Sequence, residues 1–199
     1  MLLHEKLNGR RIILASGSPR RRQLLTEAGI AFDTAVKYAC DEKYPAGMPA
    51  CDVAAYLAGL KSRAYPNQLA DNEILITADT VVTIDGEVLG KPSGRDDALR
   101  MLSRLSGRTH TVVTGVMLRT AAHERLFSAE SSVTFRPLTD EELAYYVDTF
   151  RPYDKAGAYG IQEWIGYAAV ERIEGSFYNV MGLPVQRLYV ELERFLQQI

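Results

Sequence analysis

Ile12-Ile13-Leu14-Ala15-Ser16-Gly17-Ser18-Pro19-Arg20-Arg21 reads as a buried strand, a tight turn of small residues and the first turn of a helix. Pro19 suits the first helical position behind a Ser18 N-cap. A helix that opens this way aims free backbone N–H groups and the positive end of its dipole at one spot, which favours phosphate. Ser16, Ser18, Arg20 and Arg21 add hydroxyls and cations to that spot. A phosphate ester bound there would need further partners from the rest of the chain.

The 199 residues suit one large domain or two small lobes, and no repeat or low-complexity tract divides them. Hydrophobic residues make up 47% and charged residues 24%, which predicts a packed core. The net charge of −2 gives no global field for a nucleic-acid polymer or an anionic membrane, so any anion site must be a local cluster. No apolar run approaches the ~18 residues that span a bilayer. Met1 to Arg11 is too polar for a secretory signal core. Cys40 and Cys51 form no disulfide framework or metal-type spacing and are read as reduced thiols of a cytoplasmic protein.

Helical spacing runs through Val53, Tyr56, Leu57, Leu60 and Ala64, again through Ala98, Met101, Leu102 and Leu105, and last through Val185 to Leu196. Thr139-Asp140-Glu141-Glu142 has the form of a capping box. Strands are expected at Ile12–Ala15, Glu73–Ala78, Val81–Ile84, Thr109–Arg119, Leu126–Thr134 and Ala168–Ile173, with a hairpin turn at Asp85-Gly86. Hairpins mixed with helix-separated strands predict an α/β fold with a mixed sheet. The lysine-terminated phosphate loop and the GxGxxG fingerprint are both missing.

Taken singly, the polar residues have ordinary readings. Ser18 caps a helix, Arg20 to Arg22 face water, Asp79 caps a turn and Lys91 sits in a loop. The combination says more. Asp79 follows the apolar run Ile74-Leu75-Ile76, a costly place for a carboxylate unless a cation or a proton-transfer role offsets it. A triphosphate needs several cations, and Arg20, Lys61, Lys91 and Lys155 come from four distant segments. Thr80 and Gln162 are neutral groups suited to a base edge or a phosphate oxygen.

These segments resemble the Maf-like nucleoside triphosphate pyrophosphatases over about Ile12 to Glu191. The resemblance rests on Leu14 to Arg21, Ala78-Asp79-Thr80-Val81-Val82, Leu89-Gly90-Lys91-Pro92, Leu105 to His110, Asp154 to Gln162 and Gly175 to Pro184. It implies hydrolysis of a nucleoside triphosphate to the monophosphate and pyrophosphate, aided by a divalent cation, Mg2+ or Mn2+. It also implies one Maf-like domain over residues 1–199. That domain has two lobes around a nucleotide cleft and a long mixed sheet with flanking helices, similar to inosine triphosphate pyrophosphatases.

The family's catalytic aspartate falls on Asp79 and its substrate-selecting positions on Arg20, Thr80 and Gln162, a set similar to the subgroup acting on dTTP and UTP. Its phosphate-binding lysines fall on Lys61, Lys91 and Lys155. Its further acidic residue, a metal ligand beside Asp79, falls on Asp41 or Glu42, and the spacing from Gly29 favours Asp41. A homodimer is compatible with the resemblance, and no apolar stripe identifies an interface. Two competing expectations stand beside the hydrolase: a non-catalytic nucleotide-binding regulator of cell division, and an enzyme for damaged purine triphosphates.

Overall fold

The computed structural model describes residues 2–199. Its centre is a seven-stranded mixed sheet in the order β2-β1-β3-β5-β6-β7, with a short β4 also paired to β3. In chain order the elements are α1 (Leu3–Lys6), β1 (Arg11–Leu14), α2 (Pro19–Glu27), β2 (Asp33–Thr34), α3 (Ala50–Arg63), β3 (Glu73–Ile84) and β4 (Glu87–Leu89). Then follow α4 (Arg95–Leu105), β5 (Thr109–Arg119), β6 (Glu124–Phe135), α5 (Asp140–Phe150), a 3-10 turn (Ala156–Ala158), α6 (Trp164–Ala168), β7 (Val170–Glu174), α7 (Phe177–Met181) and α8 (Val185–Leu196). The expected α/β class with a mixed sheet is therefore the observed one.

β3 organises the site. The two stretches expected as separate strands are one strand of twelve residues. Along one edge β5 pairs with it antiparallel from Leu75 to Thr83. Along the other edge β1 pairs parallel only as far as Ile76, and β4 pairs antiparallel only from Val82. Among the described residues no strand covers Thr77 to Val81 on that side. Asp79 and Thr80 lie in this fork, where β1 has ended and the chain has turned away into α2. A crevice beyond the carboxyl end of a parallel strand is the usual ligand position in open α/β sheets.

Alternation along β3 serves two cores. Ile74, Ile76, Ala78, Val82 and Ile84 enter the main core with α2, α4, α5 and α8. On the opposite face Val81 packs with Val53, Ala54 and Leu57 of α3 and with Val113 of β5, and the Thr77 hydroxyl donates to the Ala58 carbonyl at 2.7 Å. α3 lies so close to β5 that a Cβ on Gly115 would stand 2.4 Å from Ala54 and Ala55 backbone atoms. Gly115 is the β5 residue paired with Asp79. Its missing side chain lets α3 settle onto the sheet and carries Lys61, in the last turn of α3, toward Asp79.

Local rules account for many boundaries. The Ser18 hydroxyl caps α2 by accepting from Arg21 N–H at 3.5 Å. Thr139 and Glu142 form the reciprocal capping box of α5. Asp85 and Gly86 both have positive φ, as a tight hairpin turn requires. α1, α6 and α7, of four or five residues each, were not expected, and α6 shortens the strand expected from Ala168 so that β7 begins at Val170.

Candidate active site

Two adjoining cavities, of about 380 and 580 Å³, open at the β3 fork. Ser18, Arg21, Glu42, Lys61 and Lys91 line both. Asp79, Thr80, Arg20, Lys155 and Gln162 line the first, and Ser16 lines the second. The structure thus brings together every site residue expected from the sequence except Asp41.

Asp79 is largely buried, and its charge is met by Lys61, whose Nζ lies 2.5 Å from Asp79 Oδ1. The same ammonium lies 3.0 Å from Glu42 Oε2. Two carboxylates therefore converge on one cation position beside the fork. Asp41, the residue favoured by spacing, is displaced from this role. Its carboxylate pairs with Lys43 at 2.9 Å on an exposed surface, outside both cavities. The segment after β2 has no regular structure up to Pro45, so spacing from Gly29 does not tell which of two neighbouring acids turns inward.

Arg20 and Arg21 have parted company. Arg21 is interior: its guanidinium donates to the carbonyls of Gly182 at 2.8 Å and Ala78 at 2.8 Å, and to the hydroxyls of Ser16 at 3.2 Å and Thr80 at 3.0 Å. Burial pulls its pKa below the usual arginine value, with Asp79 acting the other way. Arg21 fills the gap left by β1 and ties α2 to β3 and α7. Arg20 has only a loose ion pair, 3.7 Å to Asp154. Lys91 has no acidic partner within 4 Å among the described residues. Of the cations expected at this site from the sequence, these two are the most free to meet an anion.

Thr80 is similarly committed to the protein. Its Oγ lies 2.9 Å from Thr114 Oγ and 3.3 Å from the Gly182 carbonyl, besides accepting from Arg21. The opposite wall is the loop after α5. Lys155 is buried, with Nζ 2.8 Å from Asp154 and 3.1 Å from Glu163. Gly157, at φ +65°, donates to the Gly90 carbonyl at 3.0 Å, and a Cβ there would stand 2.9 Å from the Val82 side chain. Gln162 brings a buried Oε1 that has no protein donor.

A family model described as Maf-like protein matches residues 11–195. The chain belongs to this family. The Maf-like chain is 54% identical over 193 residues to a dTTP/UTP pyrophosphatase of Porphyromonas gingivalis, covering 96% of this chain and 97% of that one. It is 53% identical over 192 residues to a protein of the same name from Parabacteroides distasonis, covering 96% and 99%. A third relative of that name, from Phocaeicola vulgatus, is 51% identical over 190 residues, covering 96% and 98%. A solved HAM1 protein from Coxiella burnetii aligns at 13% identity with a TM-score of 0.47, covering 93% of this chain and 99% of that one, a likeness too slight to argue from.

For this Maf-like cleft, the donor chemistry decides what cation fits. Among the described residues no three His, Cys, Asp or Glu side chains form a cage. Mg2+ does not need one: it commonly takes one or two carboxylates and completes its shell with water and substrate phosphates. Asp79 and Glu42 already surround a positive charge, that of Lys61, so the residues present fit such an ion. No helix among the described residues is long and apolar enough to cross a membrane.

Residues that sequence reasoning left without a role also shape this site. Asp154 holds Lys155 and faces Arg20. Thr114 braces Thr80 and donates to the backbone carbonyl of Asn179, whose buried side-chain amide donates to the Val112 carbonyl and Ser131 Oγ. Tyr44 stands on the rim of the first cavity. Their signal in the sequence is proximity to quoted motifs, which does not distinguish lining from bracing.

Proposed function

We propose that this chain hydrolyses dTTP and UTP to the nucleoside monophosphate and pyrophosphate. The observation that carries the reading is the largely buried Asp79 held against Lys61 at the β3 fork, with Arg20 and Lys91 beside it. The names of relatives about half identical over nearly the whole chain support the same substrates.

Water attacks the α-phosphorus, the bond from that phosphorus to the bridging oxygen breaks, and pyrophosphate leaves. Asp79 accepts the proton of the attacking water. Lys61 stands beside Asp79 and the triphosphate path, where it neutralises charge on the α-phosphate. Lys91 and Arg20 do the same for the departing pyrophosphate, and Ser18 N-caps the helix whose start faces those oxygens. Arg21 holds β3 and α2 in register with each other from inside. Asp79 and Glu42 are the residues to hold Mg2+ or Mn2+. Such an ion, when bound, supplies further neutralisation of the phosphates and a more acidic water.

Gln162 favours a uracil or thymine ring. Its buried carboxamide oxygen is an acceptor in want of a donor. With the side chain turned to the cavity it lines, N3–H of uracil and thymine donates to that oxygen, whereas N3 of cytosine is an acceptor and leaves it unpaired. A site built to pair a polar group rejects the analogue that cannot pair with it. Thr80 contributes by fixing Arg21.

The test is pyrophosphate release from dTTP, UTP, CTP and inosine triphosphate with Mg2+ and with Mn2+. Release from dTTP and UTP well above the others is expected. Activity on inosine triphosphate alone, or on none, overturns the reading. In oxygen-18 water the label should enter the monophosphate, and label in pyrophosphate excludes attack at the α-phosphorus.

A further inference from the structure

Glu163 sits outside both cavities, immediately after Gln162. It occupies the N-cap position of α6, yet its side chain makes no cap hydrogen bond. An acid at that position ordinarily turns back to the free N–H groups of its own helix. Here the carboxylate turns the other way. One oxygen takes the ammonium of buried Lys155 at 3.1 Å, and the other accepts from the Tyr146 hydroxyl.

Tyr146 is fully buried in α5 and stacks against Phe150 and Trp164. Its hydroxyl also accepts the Gly160 N–H at 3.0 Å. Burial and the Glu163 contact push its pKa up, which keeps the hydroxyl protonated as a donor. The backbone closes the same knot, since Glu163 N–H donates to the Gly160 carbonyl at 2.9 Å. Gly160 and Glu163 bracket Gln162 within four residues, so this cavity-lining residue is held at both sides by one phenol and one carboxylate.

We propose that Glu163 is a positioning residue for base selection: clamped between Tyr146 and Lys155, it fixes the loop that carries Gln162 to the cavity wall. The proposal rests on the pyrophosphatase reading. Glu163 bonds neither Asp79 nor Lys61, so its loss leaves that pair in place and falls first on nucleotide binding, through Gln162 and Lys155. Removing it also leaves a buried ammonium with Asp154 alone and a buried phenol without its acceptor, and the loop must move to satisfy them.

The experiment measures kcat and KM for UTP and CTP in the wild type, Glu163→Ala, Glu163→Gln and Tyr146→Phe, with melting temperatures for each. Glu163→Ala should raise KM for UTP about tenfold, keep kcat within about threefold and shrink the preference for UTP over CTP about tenfold. Glu163→Gln, which keeps an acceptor for Tyr146, should recover most of the KM loss. Tyr146→Phe should move KM and preference in the same direction, and the Tyr146→Phe, Glu163→Ala double variant should be no worse than Glu163→Ala. An unchanged KM and preference in folded Glu163→Ala overturns the proposal while leaving the pyrophosphatase reading intact. So does a parallel loss on UTP and CTP that tracks melting temperature, because that is a purely structural role. A wild type inactive on both UTP and dTTP overturns the functional reading and this proposal with it.

Discussion

The two walls of the cleft hold their side chains by different means. On the sheet wall, Asp79 and Thr80 are placed by the β3–β5 ladder, where they pair with Gly115 and Thr114. Alternation along the strand sends Asp79 toward α3 and Thr80 toward α2 and α7. On the loop wall, Lys155 and Gln162 belong to a segment with a single 3-10 turn, and side-chain bonds from Asp154, Glu163 and Tyr146 do the placing. A ladder shares its work among many backbone bonds, so a polar substitution on the sheet wall should alter chemistry and leave position alone. A loop pinned by a few polar contacts should lose position first.

The largest expected effect is on the sheet wall. Asp79→Asn removes the proposed proton acceptor and keeps the shape, and Lys61 retains Glu42 as a partner. We expect kcat to fall by about 10³ or more. Circular dichroism and the melting temperature should stay close to wild type, because the backbone ladder is untouched. Near-normal turnover would remove Asp79 from the base role and erase the distinction between the walls.

Next comes the spacing that the sheet wall depends on. Gly115→Ala drives a methyl group into the backbone of α3 at Ala54 and Ala55, atoms that cannot swing aside as a side-chain tip can. Overpacking typically costs about 1–3 kcal/mol, and a clash with backbone lies at the upper end of that range. If α3 yields by lifting, Lys61 lifts with it and activity falls in step with stability. Urea unfolding and kcat measured on the same variant check this. Full activity together with full stability would mean that α3 is not held where the Gly115 contact puts it.

The same contrast explains what was legible in the sequence. Ser18, Thr139 with Glu142, and Asp85-Gly86 announce helix caps and a turn because their rules involve neighbours within three or four residues. Apolar alternation marked β3, although its continuity through Asp79 was hidden by the polar pair at its centre. The fate of Arg21 was not legible: its four acceptors come from Ser16, Ala78, Thr80 and Gly182, and only the fold decides that it is spent inside while Arg20 is not. Lys155 is a similar case, a lysine motif whose charge is already matched by two acids. Glu42 displaces Asp41 because an irregular segment carries no periodicity from which to read direction. Short helices such as α6 and α7 have too few turns to show a helical period.

The smallest expected effect lies at a seam between the walls and appears only in acid. His110 of β5 is buried, with Nε2 2.8 Å from the hydroxyl of Tyr159 in the loop and its ring set edge-on to Phe135 and Tyr159. Burial pulls its pKa down to about 4 from the usual 6.5. Nδ1 has no partner, so the imidazolium form holds a buried charge with one N–H that nothing accepts. The unfolded chain takes up the proton first. The stability from neutral His110 is therefore complete above pH 6.5 and is lost progressively as the pH falls toward 4. The loss is at most about 3 kcal/mol, from the two pKa values. His110→Gln does not titrate and can still bond Tyr159, so its unfolding free energy should fall less steeply between pH 7 and pH 4 than that of wild type. Parallel pH curves for the two proteins would show that His110 does not pay a burial penalty on protonation. The loop wall would then owe nothing to the charge state of this seam, and its position would depend on the Tyr146 and Glu163 side alone.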